Sequence, residues 1–181
     1  GYELYINKPE AKLVFNKITE LGKKVNLSLC GAHAMDILRM ESGFLHWGHD
    51  ISPEENQYQA GLEFTISYKK QIDFIGKKAL EKIKKDKLDR KFSMFVLKEN
   101  KPGKPLLLHD EPIFLDDKII GRTTSSNYSF NFKKNLAFGY IDIKENNTNP
   151  LNQNFYIEVE KIKYLAELIN KPLKETDYKS I

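Results

Sequence analysis

The sequence predicts an α+β chain, in which a first half of helices and short strands gives way to a small antiparallel barrel or sandwich. Two observations carry this. Up to about Lys87 the apolar residues recur largely at three- and four-residue steps, the spacing of helices with one buried face. From Arg90 onwards they fall into short alternating runs cut by turn signals, the pattern of closely spaced antiparallel strands. A length of 181 residues with 40% hydrophobic and 12% aromatic content suits one ordinary domain or two small ones with real cores. The switch places a domain boundary near Lys87, dividing residues 1–86 from residues 87–181.

Tyr2-Glu3-Leu4-Tyr5-Ile6 alternates aromatic and β-branched side chains, which predicts a strand with Glu3 and Tyr5 on one face. A strand at the first residue, with no Met before it, leads us to expect a piece of a longer protein. Pro9 then suits the first turn of a helix, where its missing N–H costs nothing. Leu13, Val14, Ile18 and Leu21 are its expected buried stripe and Gly22 its end. Val25–Leu29 reads as a second strand.

Gly31–Asp50 (GAHAMDILRMESGFLHWGHD) is the stretch around which the chain is organised. Ala34, Ile37, Leu38 and Glu41 share a helical face between two glycines, and Phe44-Leu45-His46-Trp47 forms an aromatic exit closed by Gly48. Arg39 in the last turn complements the carbonyl end of the helix, whereas Glu41 opposes it. The plain resolution is that Glu41 caps a neighbouring amide and Asp36 pairs with Arg39 at i,i+3. Beyond it, Pro53 opens a helical turn at Glu54-Glu55, Leu62–Tyr68 reads as a strand, and Asp73–Gly76 is a loop entering the lysine-rich segment Gly76–Arg90.

The later strand candidates are Phe92–Leu97, Ile113–Leu115, Lys118–Thr124, Tyr128–Phe132, Leu136–Ile143 and Phe155–Val159. Lys101-Pro102-Gly103, Asp116-Asp117, Lys133-Lys134-Asn135 and Asn146-Asn147 supply the turns between them. An apolar Ile162–Ile169 run precedes Pro172, and a polar tail follows.

Composition excludes several classes. No apolar run could span a membrane, and no signal peptide is visible. The net charge of +4 is modest. In Gly76–Arg90 the lysines surround Ala79, Leu80 and Ile83 with no aromatics for base stacking, so a solvated helix face is expected rather than a nucleic-acid surface. Cys30, the single cysteine, allows no internal disulfide and reads as a small buried residue in a reducing compartment. His46-x-x-His49 lacks a further ligand to complete a metal site, and no metal is expected. Cys30 with His33 has no third group to orient a thiolate pair. The glycines form no phosphate-cradling loop, so neither FAD nor NAD is expected on this segment.

Glu3 and Arg39 are the candidate binding residues. If the strand of Glu3 shares a sheet with Val25–Leu29, Glu3 faces the region holding Arg39. A carboxylate accepting two ring N–H bonds and a guanidinium gripping a carboxylate would suit a flat, amide-rich heterocycle with an acidic tail, beside the wall of Trp47. A plain Glu3–Arg39 salt bridge is the alternative.

With these residues in place the chain resembles a known family. GYELYI at 1–6, AMDILRMESGFLHWGHDI at 34–51, QAGLEF at 59–64, DFIGKKAL at 73–80 and GRTTSSNYSFNFKKNLAFGYI at 121–141 are similar to the C-terminal, aminomethyltransferase-like region of dimethylglycine and sarcosine dehydrogenases. That region is related to the T-protein of the glycine cleavage system. The LRMESG-x-x-x-WG and DFIG elements look more like the dehydrogenase branch.

The resemblance implies part of a folate-binding α/β domain over residues 1–86, followed by a T-protein-like antiparallel β-barrel over residues 87–181. It implies an enzyme that captures an iminium on tetrahydrofolate to give 5,10-methylenetetrahydrofolate, after FAD in a separate N-terminal domain has oxidised an N-methyl amine. Glu3 matches the family's pterin-binding glutamate, Arg39 the arginine of its L-R-[LM]-E motif, and Trp47 an aromatic position near the folate. The family's catalytic aspartate lies in a part absent from this sequence, so no catalytic residue is assigned and the piece alone is expected to be inactive. Its expected partners are folate and a small N-methyl amine, with no nucleic acid or membrane, and a half-domain could self-associate over exposed apolar surface. Bacterial cytoplasm or mitochondrial matrix is the expected location. Two further readings stand beside this one: a piece of a stand-alone aminomethyltransferase or demethylase, and a non-catalytic interaction module on the same fold.

Overall fold

The computed structural model describes residues 2–143 and 154–174; the Asn146-Asn147 turn and the tail after Lys174 lie outside them. The chain falls into two compact units, Gly1–Met35 and Asp36–Ile181.

In the first unit a 3₁₀ turn at Lys8–Glu10, with Pro9 as its second residue, leads into helix α1, Ala11–Gly22. Several expectations are corrected. Residues 2–6 and 27–30 form no strand, because alternation suits a pleat but a ladder partner makes a strand, and neither stretch has one among the described residues. The helix runs on through a 3₁₀ turn at Lys23–Val25 and ends at Asn26, whose φ is 55°. Gly22 is the last residue of α1, as expected, and it also lets Leu27 approach: a Cβ there would lie 2.5 Å from the Leu27 Cβ. The α1 stripe faces outwards, with Leu13 72% and Leu21 51% exposed. Cys30, expected to be buried, is exposed.

Helix α2, Ala32–Glu41, forms as its period predicts, but its buried residues are Ile37, Met40 and Glu41, while Leu38 turns outwards. It stops through Gly43, whose φ of 75° lets the Gly43 N–H reach the Met40 carbonyl (3.0 Å) and the Phe44 N–H reach the Arg39 carbonyl (2.9 Å). Leu62–Tyr68 is not a strand; it holds a 3₁₀ turn at Glu63–Thr65. Helix α3, Lys77–Lys85, follows the Asp73–Gly76 loop, and most of its lysines are exposed.

Among the described residues six strands close into an antiparallel barrel: β1 Arg90–Leu97, β2 Pro112–Leu115, β3 Lys118–Ser129, β4 Lys134–Asp142, β5 Phe155–Val159 and β6 Ile162–Ile169. Their order is β1-β4-β3-β2-β5-β6, and β6 pairs back onto β1, Met94 opposite Ile169. The two strands expected at Lys118–Thr124 and Tyr128–Phe132 are one, because the turn lies at residues 130–133, with Lys133 at φ 54°. Lys134 and Asn135 already belong to β4.

One core fills the barrel, with Phe95, Leu97, Ile113, Phe155 and Ile157 at its centre. A second lies outside it, where Ile37 and Met40 of α2 meet Val96, Leu136 and Phe138. Burying a side chain of this size is worth about 1.5–3 kcal/mol, enough to fix the last turns of α2 on the barrel wall. No helix among the described residues is long and apolar enough to cross a membrane.

Candidate functional site

The last turn of α2 carries two charged side chains inward, Arg39 and Glu41. A guanidinium has five N–H donors, and here each has an acceptor within the chain. Nε and one Nη donate to Asp36 Oδ1 at 2.9 and 2.7 Å, and the same Nη donates to Ser125 Oγ at 2.7 Å. The other Nη donates to the Phe44 carbonyl at 3.1 Å and to Asp50 Oδ2. The guanidinium also lies 5.5 Å from the centre of the Phe138 ring. The Asp36–Arg39 pair expected from spacing is therefore present, as part of a larger network.

Asp50 is the residue sequence reasoning missed. Its side chain has no solvent exposure. Oδ2 accepts the His46 amide N–H at 2.9 Å as well as the Arg39 donor, and Oδ1 accepts the Thr124 hydroxyl at 2.5 Å. A carboxylate with three partners, one of them cationic, offsets much of the cost of its burial. It closes the turn in which the N–H groups of His49, Asp50 and Ile51 all point to the His46 carbonyl. The signal available in the sequence was an Asp immediately after a Gly-containing turn, four residues beyond His46.

Glu41 resolves differently from the expectation of a backbone cap. It is 1% exposed; Ser129 Oγ donates to its Oε1 at 2.6 Å and Asn131 Nδ2 to its Oε2 at 2.9 Å. Ser129 Oγ in turn accepts the Phe132 N–H at 3.0 Å. The unfavourable position of Glu41 at a helix C-terminus is thus offset by two side-chain donors, one from the last residue of β3 and one from the β3–β4 connection.

A β-bulge explains how one strand serves this network with adjacent residues. The β3–β4 register shifts between Thr123 and Ser125. Thr124 reaches Asp50 and Ser125 reaches Arg39, while Thr123 donates to Glu111 and Ser126 Oγ lies 3.5 Å from the same carboxylate. Strict alternation would pair Thr123 with Ser125 and Thr124 with Ser126 on opposite faces. The extra residue re-aims the strand so that Thr124 and Ser125 act together.

Of the predicted binding residues, Arg39 is bonded into the turn that carries Trp47. Trp47 bridges to Ile51 and leaves 65% of its surface exposed. Glu3 lies in the first unit, exposed, with Tyr5 Oη donating to its Oε2 at 2.8 Å. The His46 and His49 rings lie with centres 4.7 Å apart, tilted by 39°, and among the described residues no three His, Cys, Asp or Glu side chains converge as a metal site.

Two cavities flank the network. A mostly apolar cleft of about 520 Å³ is lined by Phe44, Leu62, Phe64, Phe92, Met94 and Pro172. A polar one of about 610 Å³ is lined by His49, Asp50, Glu55, Arg90, Thr124 and Tyr140. In the latter, Arg90 pairs with Glu55 at 2.7 Å and sits 5.3 Å over the Tyr140 ring. Burial, reinforced by the Glu55 charge and opposed by Arg90, pushes the ionisation of Tyr140 well above that of an ordinary phenol.

Comparison with known proteins adds the relationship. Residues 1–70 match the GCVT N-terminal domain and residues 90–174 the glycine cleavage T-protein C-terminal barrel domain. Human mitochondrial dimethylglycine dehydrogenase is 31% identical over 177 residues, which are 98% of this chain and 20% of that protein. The aminomethyltransferase of Alkaliphilus metalliredigens is 32% identical over 179 residues, 99% of this chain and 47% of that one. The crystal structure of the glycine cleavage system aminomethyltransferase T from Bartonella henselae shares the fold, with a TM-score of 0.74 at 21% identity over 90% of this chain and 44% of that one. The chain thus spans a fifth of the length of the dehydrogenase and about half that of the transferases.

Proposed function

We propose that this chain, which belongs to the glycine cleavage T-protein family, is the region of an FAD-linked N-methyl amine dehydrogenase that holds tetrahydrofolate and loads it with a one-carbon unit as 5,10-methylenetetrahydrofolate. The observation that carries the reading is the alignment with dimethylglycine dehydrogenase through nearly the whole chain, across both T-protein domains. The LRMESG-x-x-x-WG and DFIG elements favour the same branch.

Each unit carries exposed groups of a kind that suits a folate. Glu3 is an exposed carboxylate, suited to ring N–H groups, and Trp47 offers an exposed flat ring for a heterocycle. Arg39 has every donor engaged inside the chain, so its share in this reading is to hold the turn that carries Trp47, or to exchange one internal partner for a ligand carboxylate. When bound, a reduced folate would supply the two amine nitrogens that take over the iminium carbon, with release of the demethylated amine; the residues of this chain would bind and orient it. FAD, the N-methyl amine and the catalytic aspartate belong to other parts of the parent protein, and residues 1–86 and 87–181 act as its folate-side and barrel domains. By itself the chain is inactive, and the exposed apolar stripe of α1 favours self-association. The cytoplasm of a bacterium or the mitochondrial matrix is the setting.

A second reading, part of a stand-alone aminomethyltransferase, is favoured by the 32% identity to that enzyme over 99% of this chain. A dinucleotide-binding fold encoded upstream of Gly1 selects the dehydrogenase; a T-protein-sized reading frame without one selects the transferase. Loss of the catalytic aspartate from the upstream part would instead select the non-catalytic module.

The test is made in the parent protein with Glu3→Gln and Arg39→Lys. Folate affinity falls in both, by about 1–3 kcal/mol for loss of the charge-assisted bonds of Glu3. Dye-linked amine oxidation stays at the wild-type rate, and released formaldehyde rises because the iminium hydrolyses uncaptured. Wild-type affinity and formaldehyde, with earlier melting only, would make both residues structural and overturn their assignment.

A further inference from the structure

We infer that the bulged pair Thr124–Ser125 on the barrel is a positioning element for the Trp47 turn, acting through Arg39 and Asp50, so that the barrel sets how well the chain holds a reduced folate. The inference rests on the folate reading for its ligand and on geometry for its mechanism.

Thr124 and Ser125 touch the two halves of one ion pair. Ser125 Oγ accepts from the Arg39 guanidinium at 2.7 Å and the Thr124 hydroxyl donates to Asp50 Oδ1 at 2.5 Å. Asp50 Oδ2 in turn holds the His46 N–H at 2.9 Å, the residue before Trp47. The path from barrel to indole is therefore strand, hydroxyl, carboxylate, backbone, with the interior links buried. It exists only because the register shift turns two consecutive residues the same way. Without the bulge, Ser125 would share the face of Thr123 and point towards Glu111 instead of Arg39. Positioning of this kind matters at a binding surface because a loop held in its bound geometry avoids the ordering cost on association.

Trp47 is the single tryptophan, so its indole N–H gives one resonance in a ¹H–¹⁵N spectrum and reports on the turn without any ligand. The experiment compares the wild-type chain with Thr124→Val, Ser125→Ala and their double variant. Ser126→Ala, on the other side of the bulge, is the control, and Thr124→Ser, which keeps the hydroxyl, is the conservative partner. Binding of 5-formyltetrahydrofolate is measured by calorimetry at a temperature where all variants are folded.

The double variant shifts or broadens the indole resonance and weakens the folate by about tenfold, less than the full worth of a pair of hydrogen bonds to charged groups because they act on the ligand only through the turn. Ser126→Ala and Thr124→Ser leave both readouts at wild type. If the double variant melts earlier but keeps the wild-type resonance and affinity, the pair is merely structural and the inference falls. Should the wild-type chain and its parent protein fail to bind the folate at all, the folate reading fails separately, and the indole resonance alone decides the positioning role. Where the double variant does not fold, the two single variants decide by the same two readouts.

Discussion

Arg39 and Asp50 form an ion pair whose carboxylate has no exposure to solvent. Deleting one partner of such a pair leaves a buried charge uncompensated, which typically costs about 3–5 kcal/mol. Asp50→Ala is therefore expected to lose that amount in urea denaturation, and Asp50→Asn, which keeps the shape and the hydrogen bonds to His46 and Thr124, clearly less. Equal losses for the two would mean that charge plays no part.

Gly43 is expected to resist substitution for two separable reasons. Its φ of 75° strains any Cβ, and a Cβ there would come within 2.8 Å of Pro172 Cγ. Gly43→Ala should cost about 1–3 kcal/mol from the left-handed backbone and the clash together. Adding Pro172→Ala should return the clash portion, so a double-mutant cycle gives a positive coupling. An additive result would assign the whole cost to backbone conformation.

Tyr140 predicts an alkaline transition. Its phenol ionises far above the usual 10.0, while in the unfolded chain it titrates near that value. The unfolded state therefore loses its proton first, and the stability contributed by Tyr140 is constant below about pH 10 and falls as the pH rises beyond it. Tyr140→Phe keeps the ring against Phe92 and Arg90 and removes a hydroxyl that has no partner among the described residues. At pH 7 the variant should be as stable as wild type or up to about 1 kcal/mol more so. It should also lose less stability above pH 10. A large loss at pH 7 would show that the hydroxyl serves a partner in solution.

Glu41→Ala leaves Ser129 and Asn131 without their acceptor in a buried setting. A loss of about 1–3 kcal/mol is expected by thermal or chemical melting. Glu41→Gln, which preserves one acceptor oxygen, should recover much of it.

The sequence made helix α2, its Gly43 stop, the loop into α3 and the later strands legible, because period and turn chemistry are local. The strands expected at Tyr2–Ile6 and Val25–Leu29 failed for the opposite reason: pairing is not written in the strand that needs it. The fused β3 was hidden by Ser125-Ser126-Asn127, a polar run that reads as an interruption. At the site, Arg39 and the Asp36 pair followed from i,i+3 spacing. Asp50 did not, since its partners Arg39 and Thr124 lie 11 and 74 positions away. The role of Glu41 was likewise set by residues 88 and 90 positions on.

The seam that closes the barrel has a consequence for how the chain is made. Met94 meets Ile169 across it, and the surface that receives Ile37 and Met40 is flanked by Ile169 and Leu173. A ribosome delivers β1 long before β6, so through most of synthesis β1 has one open flank and α2 no finished seat. Contacts of such long sequence separation form late and slow the final step. Nascent chains stalled before Ile162 should be cut readily by protease around Arg90–Leu97, and chains released after Lys174 should resist.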